Sequence, residues 1–264
     1  MADFGFKRRY IQVISALLYN ANFRGFAEGK IYQGDIKGVC VPGLNCYSCP
    51  GAMGACPLGS FQNAVSSADR KIPFYVVGTL LLFGVLFGRV ICGFLCPFGL
   101  IQELLYKIPS PKIKKNRVTK TLSKLKYILL AVFAVIIPFM YKYPAFCKLI
   151  CPAGTLEGGI PLATANSSIA AMIGILFHWK TTVLVIIIVG AVFVYRDFCR
   201  FICPLGAIYS LFHKISIFGV CIKEDRCTHC GKCVRECKMD VSCVGDRECI
   251  QCGKRYTTYE TVET

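Results

Sequence analysis

The sequence predicts a mainly α fold, with polytopic membrane helices carrying C-x3-C-P motifs and a small C-terminal α+β domain. Three observations predict it: long uncharged apolar runs, a cysteine pair repeated at their ends, and a polar tail with closely spaced cysteines. Of 264 residues, 55% are hydrophobic and 17% charged, and mean hydropathy is +0.53, which excludes disorder, collagen and coiled coil. Eighteen cysteines stand beside three histidines. Disulfide scaffolds scatter cysteines through polar loops of short chains, whereas here they pair beside apolar runs, so metal ligation is the stronger reading. The net charge of +16 fits cytoplasmic loops under the positive-inside bias better than nucleic acid binding.

The runs Ile72 to Gly88, Tyr127 to Tyr141 and Thr181 to Tyr195 carry no charge and approach the roughly 20 residues that cross a bilayer. Lys124, Lys126, Lys142, Lys180 and Arg196 flank them and can snorkel, while Tyr127, Tyr141 and Tyr195 suit the lipid interface. Buried helices of a soluble protein are the alternative, but no polar face recurs at helical period. A shorter run, Tyr10 to Phe23, follows Lys7, Arg8 and Arg9 and reads as a signal anchor, an interfacial helix or a signal peptide. Eight Lys or Arg between Lys107 and Lys126, against two between Pro144 and Lys180, place the first segment in the cytoplasm and the second outside. Ile160 to Phe177, interrupted by Asn166, Ser167 and Ser168, is expected to dip or lie flat outside. Three regions result: 1–71, an N-terminal helix and external Cys-rich loop; 72–214, the membrane helices; and 215–264, a cytoplasmic tail.

Each of the three long runs is followed by one motif. Cys92-Gly-Phe-Leu-Cys96-Pro-Phe-Gly, Cys147-Lys-Leu-Ile-Cys151-Pro-Ala-Gly and Cys199-Arg-Phe-Ile-Cys203-Pro-Leu-Gly share the form C-x3-C-P-x-G, and Cys46-Tyr-Ser-Cys49-Pro with Cys56-Pro-Leu-Gly is a variant. Four residues is about one helical turn, so both thiolates can leave one helix face; Pro then discourages helix before it, and Gly lets the chain turn. Zinc accepts such donors in small soluble modules, but a membrane protein with little other chemistry points to redox-active 4Fe-4S clusters. Topology groups Cys92, Cys96, Cys199 and Cys203 at the inner face. Cys147 and Cys151 lie at the outer face, where Cys40, Cys46, Cys49 and Cys56 join them if Tyr10 to Phe23 crosses, and six cysteines are more than one cluster needs.

The tail reads Cys227-Thr-His-Cys230-Gly-Lys-Cys233-Val-Arg-Glu-Cys237, the C-x2-C-x2-C-x3-C run of bacterial ferredoxins without its final Pro. A second run begins at Cys249 and Cys252, then meets Arg255 and Tyr259 where thiolates belong; Cys221 and Cys243 are the candidates to compensate. The tail is therefore expected to be a ferredoxin-like (α+β) domain with at least one cluster on Cys227, Cys230 and Cys233, and two to four clusters are expected per chain. His178 and His213 fall on opposite sides, so no haem is expected, and the absence of a P-loop or G-x-G-x-x-G argues against a bound nucleotide. Glu103 and Glu157 follow the motifs as candidate proton acceptors or plain helix-end carboxylates. Arg89 and Arg196 are candidates to offset cluster charge or to snorkel.

Through these motifs, from about Ile72 to Cys252, the chain resembles the membrane-bound 4Fe-4S polyferredoxins of the NapH, NosR and YccM type. The stretch Cys40-Val-Pro-Gly-Leu-Asn-Cys46-Tyr-Ser-Cys49-Pro resembles that of a bacterial subgroup of 4Fe-4S membrane proteins. The resemblance implies a multi-pass protein of the bacterial inner membrane that carries electrons between the quinone pool or an external flavoprotein and a cytoplasmic partner. A non-catalytic carrier subunit is expected. A quinol dehydrogenase or metal reductase, and a redox-sensing regulatory or assembly protein, are the competing readings.

Overall fold

The computed structural model describes residues 2–67, 73–113, 115–219, 230–239, 241–243 and 245–252. Seven helices organise it: α1 (Ala2–Tyr19), α2 (Pro57–Ser66), α3 (Phe74–Phe87), α4 (Pro97–Leu105), α5 (Arg117–Tyr141), α6 (Ile175–Phe193) and α7 (Pro204–Leu211). Helices α5 and α6 are long and apolar enough to cross a membrane, and α3 is a shorter apolar helix. Beyond Lys126 in α5 and Lys180 in α6 these helices carry no charge, as lipid-facing helices require, and Ile186, Val189 and Ile128 remain exposed. The apolar run expected to start at Thr181 begins earlier, at Ile175, because Gly174 is the extended residue from which the helix starts.

Inside α5 the backbone widens into π turns over Leu130–Ile136, just before Pro138, and the same occurs over Gly154–Gly159 before Pro161. Proline has no N–H to return to the preceding turn, and the wider winding redistributes those carbonyls. The stretch after Pro161 is broken at Asn166, whose side chain caps the short helix Ser167–Ala171, so it makes no continuous span.

The C-P dipeptides organise the breaks. Cys56, Cys96 and Cys203 are the N-caps of α2, α4 and α7, with Pro57, Pro97 and Pro204 as the first helical residues. A proline fits there because that N–H has no intrahelical partner. The earlier cysteine of each C-x3-C pair sits in a preceding one-turn helix: Val90–Phe94, Ala145–Leu149 and Asp197–Phe201. The two sulfurs thus flank a helix break rather than sharing one face.

Among the described residues there is no β-strand, only an isolated bridge between Cys40 and Ala55. The expected ferredoxin-like α+β tail is therefore corrected to an irregular segment with one helical turn, Lys232–Glu236. Its apolar residues explain why. Met239, Val241 and Ile250 are buried in the same core as Ile91, Phe98 and Leu205. With these side chains packed on the helical body, the described tail keeps no apolar face on which a small sheet could be built.

Candidate cluster-binding sites

The structure gathers the membrane cysteines into two sets of four. In the first, Cys46, Cys56, Cys147 and Cys151 line a cavity of about 550 Å³ together with Leu44, Asn45, Gly59, Gly154 and Lys180. Cys40 and Cys49 lie outside it. Cys40 pairs by bridge with Ala55, and Cys49 closes a turn with Ala52. In the second, Cys92, Cys96, Cys199 and Cys203 are all buried and all within electrostatic range of one another. Each set combines alternate motifs, first with third and second with fourth. Helix α6 runs between them: Trp179 donates to the Leu149 carbonyl at one end, and Tyr195 and Arg196 reach Glu103 at the other.

The glycine of C-P-x-G has a sulfur-directed role. The Gly206 amide hydrogen-bonds the sulfur of Cys203 at 3.4 Å, and the amides of Gly59, Gly99 and Gly154 face the sulfurs of Cys56, Cys96 and Cys151 in the same way. Three residues into a helix, an N–H has no internal partner and favours negative charge. A Cβ at Gly99 would sit 3.2 Å from the Arg196 guanidinium, while at Gly59 and Gly154 it would approach Cys147 and Cys46 of the facing motif.

Sequence reasoning missed a second repeated feature, six residues after the C-P cysteine, where Gln62, Gln102, Glu157 and Tyr209 stand in register. In the first set, Gln62 accepts from the Phe146 amide (3.1 Å) and donates to Cys147 sulfur (3.6 Å). In the second, Gln102 accepts from the Phe198 amide (3.1 Å) and donates to Cys199 sulfur (3.1 Å). Glu157 accepts from the Cys46 amide at 2.8 Å, and Tyr209 donates to the Pro42 carbonyl at 2.9 Å. Each side chain thus ties its helix to another cysteine-bearing segment. The signal was visible as C-P-x-G-x-x-polar, but a polar residue in a helix has many uses.

The electrostatics differ between the sets. Arg89 and Arg196 are wholly buried, which rules out snorkelling. Arg196 pairs with Glu103 at 2.7 Å, and Arg8 of α1 and the Tyr195 hydroxyl hold the same carboxylate. Burial alone would raise the Glu103 pKa, but the Arg196 and Arg8 guanidiniums bring it down to about 2, so it is a fixed anion rather than a proton acceptor. Glu157, buried without a guanidinium, is instead pushed up to about 7. Burial also raises the thiols, Cys96 and Cys199 to about 11 and Cys151 to about 12. Such sulfurs become thiolates when a cation binds them.

In the tail, Cys237, Cys249 and Cys252 lie within electrostatic range of one another, Cys233 is half-buried, and Cys230 and Cys243 are exposed. Cys221, Cys227, Arg255 and Tyr259 lie outside the described residues. This segment rests on the second set. Glu248 binds Lys126 at 2.6 Å and faces Arg89, Gln251 meets His213 at 3.0 Å, and the Ile250 carbonyl leaves no room for a Cβ on Gly93.

The donor chemistry tests which metal group fits. Among the described residues no three His, Cys, Asp or Glu side chains converge on a single ion. Four thiols disposed around a cavity suit a polynuclear iron-sulfur cluster, which takes four cysteine ligands.

Comparisons with known proteins agree. A family model described as a 4Fe-4S binding domain matches residues 72–116, 127–160 and 171–219. The chain is 29% identical over 201 residues to the uncharacterized protein MJ0750 of Methanocaldococcus jannaschii, covering 72% of this chain and 75% of that one. It is 22% identical to YccM of Escherichia coli K12, covering 73% of this chain and 55% of that one. It is 28% identical to the regulatory protein NosR of Pseudomonas aeruginosa, covering 70% of this chain and 25% of that one. The chain thus spans about half of YccM and a quarter of NosR. No solved structure matches it. The family-model match, the repeated C-x3-C-P-x-G motifs and these relatives together establish that the chain belongs to the NapH/NosR/YccM-like family of ferredoxin-type proteins.

Proposed function

We propose that the chain is a membrane electron carrier in which Cys46, Cys56, Cys147 and Cys151 hold one 4Fe-4S cluster and Cys92, Cys96, Cys199 and Cys203 hold another. Cys237, Cys249 and Cys252 contribute to a third, cytoplasmic site. Bound clusters supply one-electron redox chemistry. The chain's own residues fix the sulfurs, exclude water and offset charge. The observation that carries the reading is the assembly of eight cysteines, distant in sequence, into two sets of four buried or half-buried thiols. The Lys and Arg residues between Lys107 and Lys126 favour a cytoplasmic side for the second set, with the first set farther from that face of a bacterial inner membrane. Electrons would then pass between the quinone pool or an external flavoprotein and a cytoplasmic acceptor. The name of NosR favours a second reading, in which the clusters report redox state to a regulatory partner.

Iron and acid-labile sulfide, measured with EPR on anaerobically purified full-length protein, test the reading. About eight iron atoms per chain match the two membrane sites, and about twelve match three. Zinc, or no metal, rejects it. Rapid oxidation of the reduced protein by a flavoprotein, without small-molecule turnover, marks the carrier; saturable reduction by a quinol analogue marks an enzyme.

A further inference from the structure

The segment between Cys40 and Cys46 does more than present Cys46. The Leu44 amide faces the sulfur of Cys96, in the second set. The very next amide, that of Asn45, faces the sulfur of Cys56, in the first. The placement is independently fixed by packing. A Cβ on Gly43 would sit 3.0 Å from the Leu95 carbonyl and 3.3 Å from Pro97, so the backbone lies directly along Cys96. Leu44 and Asn45 meanwhile line the cavity of the first set.

The dipeptide is held from all sides. Asn45 is fully buried, and its side chain accepts from Asn20 (3.0 Å) and donates to the Gly54 carbonyl (3.4 Å). Leu44 is 3% exposed. Two residues upstream, the Pro42 carbonyl takes the Tyr209 hydroxyl, and that buried tyrosine is in electrostatic range of Cys92, Cys96 and Cys56. The two sets, which the loop charges alone would assign to opposite faces of a bilayer, therefore approach each other, at their nearest point, across two adjacent amides and one residue of backbone, about 3.5 Å long.

We propose that the Leu44–Asn45 backbone is the coupling element through which the two membrane sites exchange electrons, with Tyr209 and Asn45 as positioning residues. This rests on the function proposed above. In each exchange one site loses a single electron and is oxidised by one unit, and the other gains it and is reduced by one unit; no bond is made or broken and no proton moves.

The experiment uses the full-length, anaerobically purified protein. EPR of the fully reduced chain is expected to show magnetic interaction between the two membrane clusters, with splitting that disappears in Cys199→Ser, where only the first site stays filled. Full iron occupancy with two non-interacting signals overturns the coupling while leaving the carrier function intact; absence of iron defeats both. Leu44→Pro removes the amide hydrogen and Leu44→Ala keeps it. Freeze-quench EPR after photoreduction is expected to show inter-site transfer slowed by an order of magnitude or more in the first and unchanged in the second. Equal rates in both variants, at full iron content, refute the route. If Leu44→Pro loses iron, the magnetic interaction in the unsubstituted chain decides. Tyr209→Phe, which frees the Pro42 carbonyl, is expected to slow transfer by a smaller factor at unchanged iron content.

Discussion

The two sets of four cysteines are built on one plan and finished differently. Both use a C-P-x-G helix start, a glutamine bridging to a phenylalanine amide and a sulfur, and a facing one-turn helix. The second set is enclosed: Arg89 and Arg196 are buried beside it, Glu103 and Glu248 balance them, and the tail covers its end. The first borders a cavity, takes Cys46 from a loop, and has Lys37 and Lys180 nearby with Glu157 pointing at the Cys46 amide. Repetition of a motif thus specifies how sulfur is held, and the residues around it specify the charge environment that sets the potential.

Serine substitution gives the largest expected effect. Cys203→Ser removes the second cluster and about four iron atoms per chain, leaving the first set's signal; Cys151→Ser does the reverse. Loss of both signals from either change would show that the sets do not assemble independently.

Removing a guanidinium follows in size. Arg196→Leu leaves Glu103 buried with Arg8 as its remaining guanidinium partner, and breaking such a buried pair costs about 3–5 kcal/mol. Detergent-solubilised protein should unfold at a markedly lower temperature, and the second cluster's potential should fall in an EPR redox titration. Lys180→Met, beside the more open first set, should change stability little.

The glutamines come next. Gln102→Leu strands the buried Phe198 amide, costing about 1–3 kcal/mol, and lowers the second cluster's potential by removing an N–H from Cys199. Gln62→Leu should act on the first cluster more weakly, because its contact with Cys147 is 3.6 Å against 3.1 Å. Potential shifts confined to the matching cluster distinguish this from general loosening.

The smallest effect concerns the cover on the second set. Burial lowers the His213 pKa, so its neutral form is the one docked against Gln251. As pH falls through the free-histidine value of about 6.5, the undocked state binds a proton more readily and docking weakens. Limited proteolysis of the tail should therefore quicken from pH 7 to pH 5.5, and His213→Asn should flatten that dependence.

Much of this was legible in local spacing. Uncharged length gave the apolar helices, and alternation of the motifs along them placed Cys92 and Cys96 with Cys199 and Cys203. What spacing does not carry is backbone direction. Cys46 and Cys49 are equally good donors on paper, and the cavity takes Cys46, whose amide Glu157 holds. The approach of Leu44 to Cys96 is made by a peptide N–H that every residue but proline possesses, so no side-chain pattern marks it. The tail misled for a related reason. Ferredoxin-like cysteine spacing records ligand geometry, whereas strands require spare apolar surface, and Met239, Val241 and Ile250 are engaged elsewhere.

Arg8 stands in the first helix, and its partners are the Gly93 carbonyl and Glu103. Glu103 lies ninety-five residues further along the chain, so the first helix gains its buried counter-ion only after the C-P-x-G helix that carries Glu103 has formed.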